Sequence, residues 1–381
     1  MRHTYVHVPF CARRCSYCDF AITVARDTPD ARFVSAIVAE LALRKAQGAW
    51  NDELAETLYF GGGTPSRLSA DAVADLVAML THDGRAPRTA HRAPVLEITL
   101  EANPEDVTPE KAAGWKKAGI NRVSLGAQSF DPAVLEWMHR THDAPAIERA
   151  TRVLRDAGIT NLSLDLIFGL PEELAPDVER DLDAILALEP THLSAYGLSI
   201  EPRTPLARWI ARGETSHPLD DRYAQAFLAV DQRLRDAGFA HYEVSNYARG
   251  GFRSRHNSAY WLGRIYAGLG PAAHSFDGSE RRWNIPAWTA YERATRAGAD
   301  PTAEREALSS EQQEIERLYL GLRTGEGVSR RSVSPNAEPR VAEWEAAGWV
   351  EHGGGAVRLT AEGWLRLDEI VSVLTTSLDG G

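Results

Sequence analysis

The feature that most constrains the fold is an alternation of short β-rich segments with helical segments through the first two thirds of the chain. Six segments carry strand-forming residues, and each is followed by a stretch with apolar residues at helical spacing. The predicted strands are Tyr5–Val8, Thr57–Phe60, Val95–Leu100, Arg122–Leu125, Leu162–Phe168 and His192–Leu198. Six βα units predict parallel strands in a barrel-like sheet, so the fold class is α/β with a partial (β/α)6 barrel.

Polar and glycine-rich segments follow the predicted strands. Functional groups of parallel α/β barrels lie at the C-terminal ends of the strands, on the loops that lead into the helices. The unusual segments of this chain are Gly61–Pro65, Glu101–Pro104, Gln128–Phe130, Asp165 with Gly169–Pro171, and Glu201–Pro202. The sequence therefore predicts that one mouth of the sheet collects them.

The three cysteines of the chain, Cys11, Cys15 and Cys18, follow the first predicted strand. Three thiolates on one short loop can converge on a soft-metal centre. Structural zinc and iron-sulfur cubanes normally take four protein ligands, so either His3 or His7 completes a zinc site or one iron stays open. The spacing favours an iron-sulfur loop over zinc and over three unrelated buried cysteines.

The composition argues against several classes of protein. Lys and Arg total 42 against 53 Asp and Glu, and a net charge of -11 is the wrong sign for neutralising phosphates. The N-terminus lacks the apolar run of a signal peptide, and no uncharged apolar stretch approaches the ~20 residues that span a bilayer. We expect a cytoplasmic protein with reduced cysteines, no integral membrane segment and no nucleic-acid partner.

The alternation weakens after about residue 205, and the pattern predicts three regions. They are 1–205, the partial barrel with the iron-sulfur loop; 206–305, an accessory region; and 306–381, a winged-helix-like domain. In the accessory region we predict a helix over Tyr223–Ala237, a strand over Tyr242–Ser245, and an aromatic-rich loop through His256 and Trp261.

The C-terminal region reads as helix, turn, helix and then a glycine-rich hairpin over Trp349–Leu359. This order suggests a winged-helix-like domain. Because neither the region nor the chain is strongly basic, a structural or partner-binding role is favoured over DNA binding.

Two motifs together resemble the radical S-adenosylmethionine (SAM) superfamily: Cys-x3-Cys-x2-Cys after the first strand, and Gly61–Pro65 after the second. The resemblance implies a radical SAM barrel with a 4Fe-4S cluster on Cys11, Cys15 and Cys18, whose open iron is chelated by SAM. The glycines would let the backbone approach that ligand closely.

A narrower resemblance covers nearly the whole chain. The motifs Tyr5–Cys11, Tyr17–Phe20, Leu58–Ser66, Glu101–Pro104, Asp165–Pro171 and His256–Trp261 are similar to the branch that contains oxygen-independent coproporphyrinogen III dehydrogenase and the HemW heme chaperones. The SAM contacts that this resemblance implies are Tyr5, Tyr17, Gly62, Gly63, Thr64, Glu101, Gln128, Arg140 and Asp165. Glu101 and Asp165 can accept hydrogen bonds from ribose hydroxyls, and Arg140 can hold a carboxylate.

Departures from the dehydrogenase pattern favour the chaperone. That pattern has a fourth cysteine where this chain has Phe20, and a longer segment before the tyrosine that is here Tyr5. The resemblance thus implies a protein that binds heme and transfers it to an acceptor protein, with an electron donor such as a flavodoxin or ferredoxin. Oxidative decarboxylation of coproporphyrinogen III to protoporphyrinogen IX remains the alternative.

The segment His256-Asn257-Ser258-Ala259-Tyr260-Trp261 is the candidate heme site. Neutral imidazole is a common iron ligand, and tyrosine and tryptophan offer flat apolar surface to a porphyrin. We predict heme contacts from His256, Asn257, Tyr260 and Trp261. The alternatives are a packed aromatic loop with a core histidine, and iron ligation by His7 or His274 instead.

Overall fold

The computed structural model of the protein describes residues 1–49, 55–81 and 96–376. The strands are β1 (His3–Val8), β2 (Phe10–Cys11), β3 (Thr23–Val24), β4 (Thr57–Gly62), β5 (Glu97–Ala102), β6 (Arg122–Gln128), β7 (Asn161–Phe168), β8 (His192–Gly197), β9 (Ala240–Glu243), β10 (Asn246–Ala248), β11 (Ala267–Leu269), β12 (His274–Phe276), β13 (Glu280–Asn284), β14 (Thr302–Ala307), β15 (Val328–Ser329) and β16 (Ala356–Val357).

The α-helices lie mainly between these strands. They are α1 (Asp30–Ala46), α2 (Ala70–Thr81), α3 (Pro109–Ala118), α4 (Pro132–Trp137), α5 (Ala144–Asp156), α6 (Val178–Ala187), α7 (Pro205–Ala211), α8 (Asp220–Asp236), α9 (Arg255–Trp261), α10 (Trp288–Arg296), α11 (Ser310–Leu322), α12 (Glu338–Ala346), α13 (Ala361–Trp364) and α14 (Leu367–Thr376). Among the described residues, no helix is both long and apolar enough to cross a membrane.

The six predicted barrel strands form the centre of one nine-stranded sheet. Its order is β11-β1-β4-β5-β6-β7-β8-β10-β9, and β1, β4, β5, β6, β7 and β8 run parallel. The α/β prediction is therefore confirmed, although Val95, the predicted start of the third strand, lies outside the described residues. Within the described ranges β9 and β11 do not pair, so the sheet is open, as a partial barrel requires.

Capping residues set the starts of the helices between these strands. The Thr108 hydroxyl accepts a hydrogen bond from the Lys111 amide at 3.2 Å, directly before Pro109 begins α3. Asp131 does the same for α4, because its carboxylate accepts from the amide of Ala133 at 2.8 Å. Both starts agree with the proline signals in the sequence.

The accessory region adds strands to both edges of the sheet. β11 pairs parallel with β1, with Thr4 opposite Ala267, and β10 pairs antiparallel with β8, with Ala248 opposite His192. β9 then pairs with β10. Hydrogen bonding is thus continuous across the boundary predicted at residue 205, because the edge strands of an open sheet need partners.

Two predictions for the accessory region need correction. The aromatic-rich loop through His256 and Trp261 is helix α9, which starts where the Ser254 hydroxyl accepts from the Asn257 amide at 3.3 Å. The single strand predicted over Tyr242–Ser245 is instead a hairpin of β9 and β10. The predicted helix over Tyr223–Ala237 corresponds to α8.

A three-stranded antiparallel sheet of β12, β13 and β14 packs beside the main sheet. A buried ion pair anchors it, because Arg44 of α1 contacts Glu40 at 3.1 Å and Asn284 of β13 at 3.0 Å. Glu40 also accepts hydrogen bonds from the Gly270 amide and the Tyr291 hydroxyl. The network fixes α1 against the accessory region, and a buried charge pair needs all of these partners.

The C-terminal region contains the predicted helices and part of the predicted hairpin. Val350 and Leu359 meet in one antiparallel bridge, and the Glu351 amide donates to the carbonyl of Arg358 at 2.9 Å. The strand β16 pairs with β15 rather than within the hairpin. Trp364 is buried in this region, and its indole N–H donates a hydrogen bond to the carbonyl of Leu322 at the end of α11.

Candidate functional site

The C-terminal ends of the parallel strands surround a cavity of about 390 Å³, here called the cluster cavity. All the predicted cluster and SAM residues except Tyr5 line it: Cys11, Cys15, Cys18, Tyr17, Gly62, Gly63, Thr64, Glu101, Gln128, Arg140 and Asp165. The topology therefore brings together residues that are far apart in the sequence, because every parallel strand ends at the same side of the sheet.

The cysteine loop forms one wall of the cluster cavity. The hydroxyl of Thr64 donates to Cys11 Sγ at 3.3 Å, and Arg140 Nη1 lies 3.6 Å from Cys15 Sγ. Burial raises the pKa of the Cys18 thiol to about 11, so this thiol is protonated at neutral pH in the protein alone. A positively charged metal centre would supply the attraction that ionises it.

The histidines that could have completed a zinc site are engaged elsewhere. The Tyr5 hydroxyl donates to His7 Nδ1 at 3.1 Å, and His7 Nε2 donates to the carbonyl of Ala21 at 3.0 Å. His3 Nδ1 pairs with the Thr57 hydroxyl at 3.0 Å. In the part of the chain that the structure describes, no group of three or more His, Cys, Asp or Glu side chains is arranged to hold a metal ion by itself.

Glu101 organises the glycine turn. Its carboxylate accepts from the hydroxyl of Tyr59 at 2.8 Å and from the amide of Gly62 at 3.1 Å. Burial raises the pKa of Glu101 to about 7. A Cβ on Gly61 would stand 2.9 Å from the Tyr5 and Tyr59 rings, so only glycine fits here.

Asp165 lies inside strand β7 and faces the same cavity. The Ser124 hydroxyl donates to its carboxylate at 3.0 Å, and burial raises its pKa. Gln128 faces the cavity because the strand β6 is irregular at this point. The pairing of β6 with β7 shifts register just before Gln128, and the φ angle of Gln128 is +69°. Such a bulge redirects a side chain at the end of a strand.

Arg140 is held by neutral oxygen atoms. Its Nη2 donates to Asn103 Oδ1 at 2.7 Å and to the carbonyl of Gly126 at 3.0 Å. Its buried Nε has no hydrogen-bond partner among the described residues. A buried N–H without a partner is costly, so this guanidinium suits an anionic ligand.

Sequence reasoning did not single out two of the residues at this mouth. Asn103 orients Arg140, and its place in the motif after β5 was the available signal. Tyr196 lies at the end of β8, lines the cavity and is 43% exposed. An aromatic residue at a strand end, next to the predicted mouth, could have indicated it.

Tyr5 lies on the other side of the glycine turn. Its ring packs against Tyr59, at a centroid distance of 6.1 Å, and against His256, at 6.4 Å, and those two rings stack on each other at 5.0 Å. It lines a second and larger cavity of about 850 Å³, here called the aromatic cavity. The two cavities share Phe20 and Gly62 as common wall residues.

The heme motif does not form one surface. His256 is buried, its Nδ1 pairs with the Thr57 hydroxyl at 2.7 Å, and its Nε2 pairs with the Tyr260 hydroxyl at 2.8 Å. Tyr260 lines the aromatic cavity, whereas Trp261 lines a separate cavity of about 480 Å³. Asn257 is half-buried, and its backbone amide donates to the Ser254 hydroxyl, which caps α9. The structure therefore separates the predicted heme contacts, and both nitrogens of His256 are already used.

Comparison with known proteins agrees with this geometry. The radical SAM superfamily matches residues 5–185. The solved structure of coproporphyrinogen III oxidase (HemN) from Escherichia coli, a radical SAM enzyme, has the same fold, with a TM-score of 0.77 over 98% of this chain and 90% of that one at 20% identity. The fold and the cysteine loop define a radical SAM protein.

Two relatives show to which family within the radical SAM superfamily the chain belongs. The heme chaperone HemW of Mycobacterium tuberculosis is 38% identical over 97% of this chain and 94% of its own length. The heme chaperone HemW of Bacillus subtilis is 30% identical over 97% of this chain and 98% of its own length. The chain belongs to the HemW family.

The cluster cavity fits the 4Fe-4S cluster and SAM that the superfamily implies. Three thiols share one wall, and the unpartnered Arg140 Nε lies on another. A Cβ on Gly63 would approach Cys11 Sγ to 3.0 Å, so the glycine keeps space beside that sulfur. Thiolate donors and an open position are the ligand set of such a cluster.

Proposed function

We propose that this protein is a heme chaperone that binds heme and transfers it to an acceptor protein. It would carry a 4Fe-4S cluster on Cys11, Cys15 and Cys18, with SAM beside the cluster. The observation that carries this proposal is the similarity to heme chaperones over 97% of the chain. When bound, the cluster and SAM supply one-electron chemistry.

The residues of the cluster cavity have distinct roles in this proposal. The three thiolates hold three irons, and Arg140 pairs with the carboxylate of the SAM methionine. Glu101 and Asp165 accept hydrogen bonds from the ribose hydroxyls. Thr64 and Gly62 bring backbone and hydroxyl groups close to the cluster, since the turn carries no bulky side chain.

The alternative, decarboxylation of coproporphyrinogen III, has less support. Phe20 stands where the dehydrogenase pattern has a cysteine, and 58% of it is exposed at the wall shared by the two cavities. The chain has three cysteines, and all of them belong to the cluster loop. No thiol is left for a further role.

The compartment and the partners of the proposed chaperone are inferred from its charge and its thiol chemistry. Reduced cysteines and a net charge of -11 suit a cytosolic protein without a nucleic-acid partner. The cluster would be reduced by an electron donor such as a flavodoxin or ferredoxin. In this proposal residues 306–381 form a structural or partner-binding module attached to the barrel at 1–205 and the accessory region at 206–305.

The decisive experiment measures heme binding and catalysis on the same preparation. Anaerobically reconstituted protein is titrated with hemin, and a second sample receives coproporphyrinogen III, SAM and a reductant. We expect about one heme per chain, bound through an axial side chain, and no protoporphyrinogen IX. Formation of that product without heme binding would establish the dehydrogenase instead.

A further inference from the structure

The small sheet β12-β13-β14 forms one wall of the aromatic cavity, and its register decides which side chains face inward. In the pairing of β12 with β13, His274 lies opposite Trp283, and Phe276 lies opposite Arg281. Alternate residues of a strand share a face, so these four side chains line the same wall. Ser275 between them points away and bonds to the backbone of the neighbouring strand.

Of the histidines around this cavity, His274 has a distinct environment. Both ring nitrogens of His7 and of His256 are hydrogen-bonded. The His274 imidazole makes no hydrogen bond to another residue in the described ranges, and it stacks on Trp283 at 5.4 Å with an interplanar angle of 19°. Partial burial lowers the pKa of His274, so the ring is neutral at physiological pH. A neutral imidazole without partners is available to a metal.

The remaining walls suit a large, flat ligand. The rings of Tyr260, Tyr266, Phe276 and Trp283 line the cavity, and its volume lies within the ~300–1,000 Å³ typical of ligand pockets. Flat apolar walls of this size match a porphyrin better than a small polar metabolite.

The charges at the rim are arranged asymmetrically. Arg281 is paired with Glu316 and Glu306. Arg264 also lines the cavity, and it forms no ion pair within the part of the chain that the structure describes. An anionic group of the ligand would therefore face Arg264 and avoid the two glutamates.

Resting on the proposed function, we propose that heme binds in the aromatic cavity with His274 as an axial iron ligand and its propionates at Arg264. His256 is then a positioning residue, because it fixes the Tyr260 hydroxyl from behind and does not reach the iron. The heme plane lies between the small sheet and the wall made by β1 and α9. Its edge approaches the cluster cavity at Phe20 and Gly62.

The test uses the full chain with its cluster and compares three alanine variants in a hemin titration: His274→Ala, His256→Ala and His217→Ala. His217 is exposed and outside both cavities, so its variant measures adventitious ligation by surface histidine. We expect His274→Ala to weaken heme binding about tenfold or more and to shift the Soret band. We expect added imidazole to restore the wild-type spectrum in His274→Ala, and His217→Ala to behave as wild type.

Other outcomes overturn the site. A wild-type Soret band and affinity in His274→Ala would exclude His274 while leaving heme binding intact. If a folded His256→Ala variant loses axial ligation of the heme iron although His274 is present, the axial ligand is His256 of α9. If the wild-type protein binds no heme, the proposed function itself fails, which is a different result.

A second variant tests the propionate contact separately from the iron. Arg264→Glu should weaken hemin binding several-fold but leave binding of hemin dimethyl ester, which lacks the two charges, unchanged. Arg331→Glu makes the same charge change outside the cavity and controls for net charge. Equal losses for both ligands, or equal losses in both variants, would remove Arg264 from the site.

Discussion

The cluster cavity and the aromatic cavity share a wall but are built differently. In the cluster cavity the polar side chains are fixed by one another, as when Glu101 holds the Gly62 amide and Asn103 holds Arg140. In the aromatic cavity much of the wall consists of rings, and His274 stacks on Trp283 and makes no hydrogen bond to any residue that the structure describes. The first is preorganised for a small polar ligand, and the second offers area and one metal ligand.

The largest effect is expected from removing a cluster thiol. Cys11→Ala, Cys15→Ala or Cys18→Ala should abolish the iron-sulfur absorbance and reduce bound iron from about four per chain to none, because the two remaining thiolates are too few to retain the cluster. Heme binding should persist if the two cavities are independent. Iron and sulfide analysis after anaerobic reconstitution, followed by hemin titration, measures both.

Thr64→Val is the matched control for the thiol variants. It removes the hydrogen bond to Cys11 but leaves all three thiols in place. We expect it to retain the cluster. Stoichiometric zinc that resists iron loading in the wild type would contradict the cluster, and loss of heme together with the cluster would show that the cavities are coupled.

A smaller effect is expected from the ribose contacts. Asp165→Asn keeps the size of the side chain but removes its charge, so SAM binding should weaken by about 1.5–3 kcal/mol, or roughly ten- to hundredfold, with the cluster intact. Asp156→Asn, on the surface end of α5, is the control. Equilibrium SAM binding to both variants measures the effect, and equal affinities would place the ribose elsewhere.

The pH dependence of stability tests how deeply the cluster cavity is buried. Burial raises the pKa of Glu101 from an ordinary value of 4.5 to about 7. Between these values the unfolded chain has released this proton and the folded chain has not, so the free energy of unfolding falls as pH rises toward 7. One pKa unit corresponds to about 1.4 kcal/mol, and we expect a loss of at least about that size.

Glu101→Gln should remove this part of the pH dependence. Urea denaturation of cluster-free wild type and variant at about pH 5 and about pH 8 measures it, because the difference between the two proteins isolates one group from the other buried acids and histidines. If wild type and Glu101→Gln differ in their free energy of unfolding by the same amount at both pH values, Glu101 is solvated.

The smallest effect is expected at the wall between the cavities. Phe20→Cys restores the cysteine of the dehydrogenase pattern, yet we expect no decarboxylation of coproporphyrinogen III, because one thiol does not create a substrate pocket. Phe20→Ser controls for loss of the ring. Protoporphyrinogen IX formed by Phe20→Cys but not by Phe20→Ser would show that the two functions differ by this residue.

The local signals in the sequence predicted much of the barrel. The six parallel strands, the helix starts at Pro109 and Pro132, and most of the residues that line the cluster cavity lie in short segments whose patterns are readable in the sequence. A strand end, a capping residue and a closely spaced cysteine group each act locally. Their positions are therefore readable before the chain is folded.

Other features depend on partners far away in the sequence. α9 was predicted as a loop because its seven residues are too few to show helical periodicity, and tertiary contacts such as the bond between the His256 amide and Glu97 stabilise it. The burial of His256 and the exposure of His274 could not be read from composition, because both are histidines beside aromatic residues.

The sequence by itself determined the βα order, the loop with three cysteines and the family, because short-range periodicity, spacing and local motifs encode them. Only the tertiary structure decided that β10 and β11 extend the two edges of the sheet, and that His274 rather than His256 has an imidazole without a hydrogen-bond partner among the described residues. The physical reason is that burial and hydrogen-bond satisfaction are properties of packing. They depend on residues such as Thr57, which is 199 positions from His256 in the chain and 2.7 Å from it in the fold.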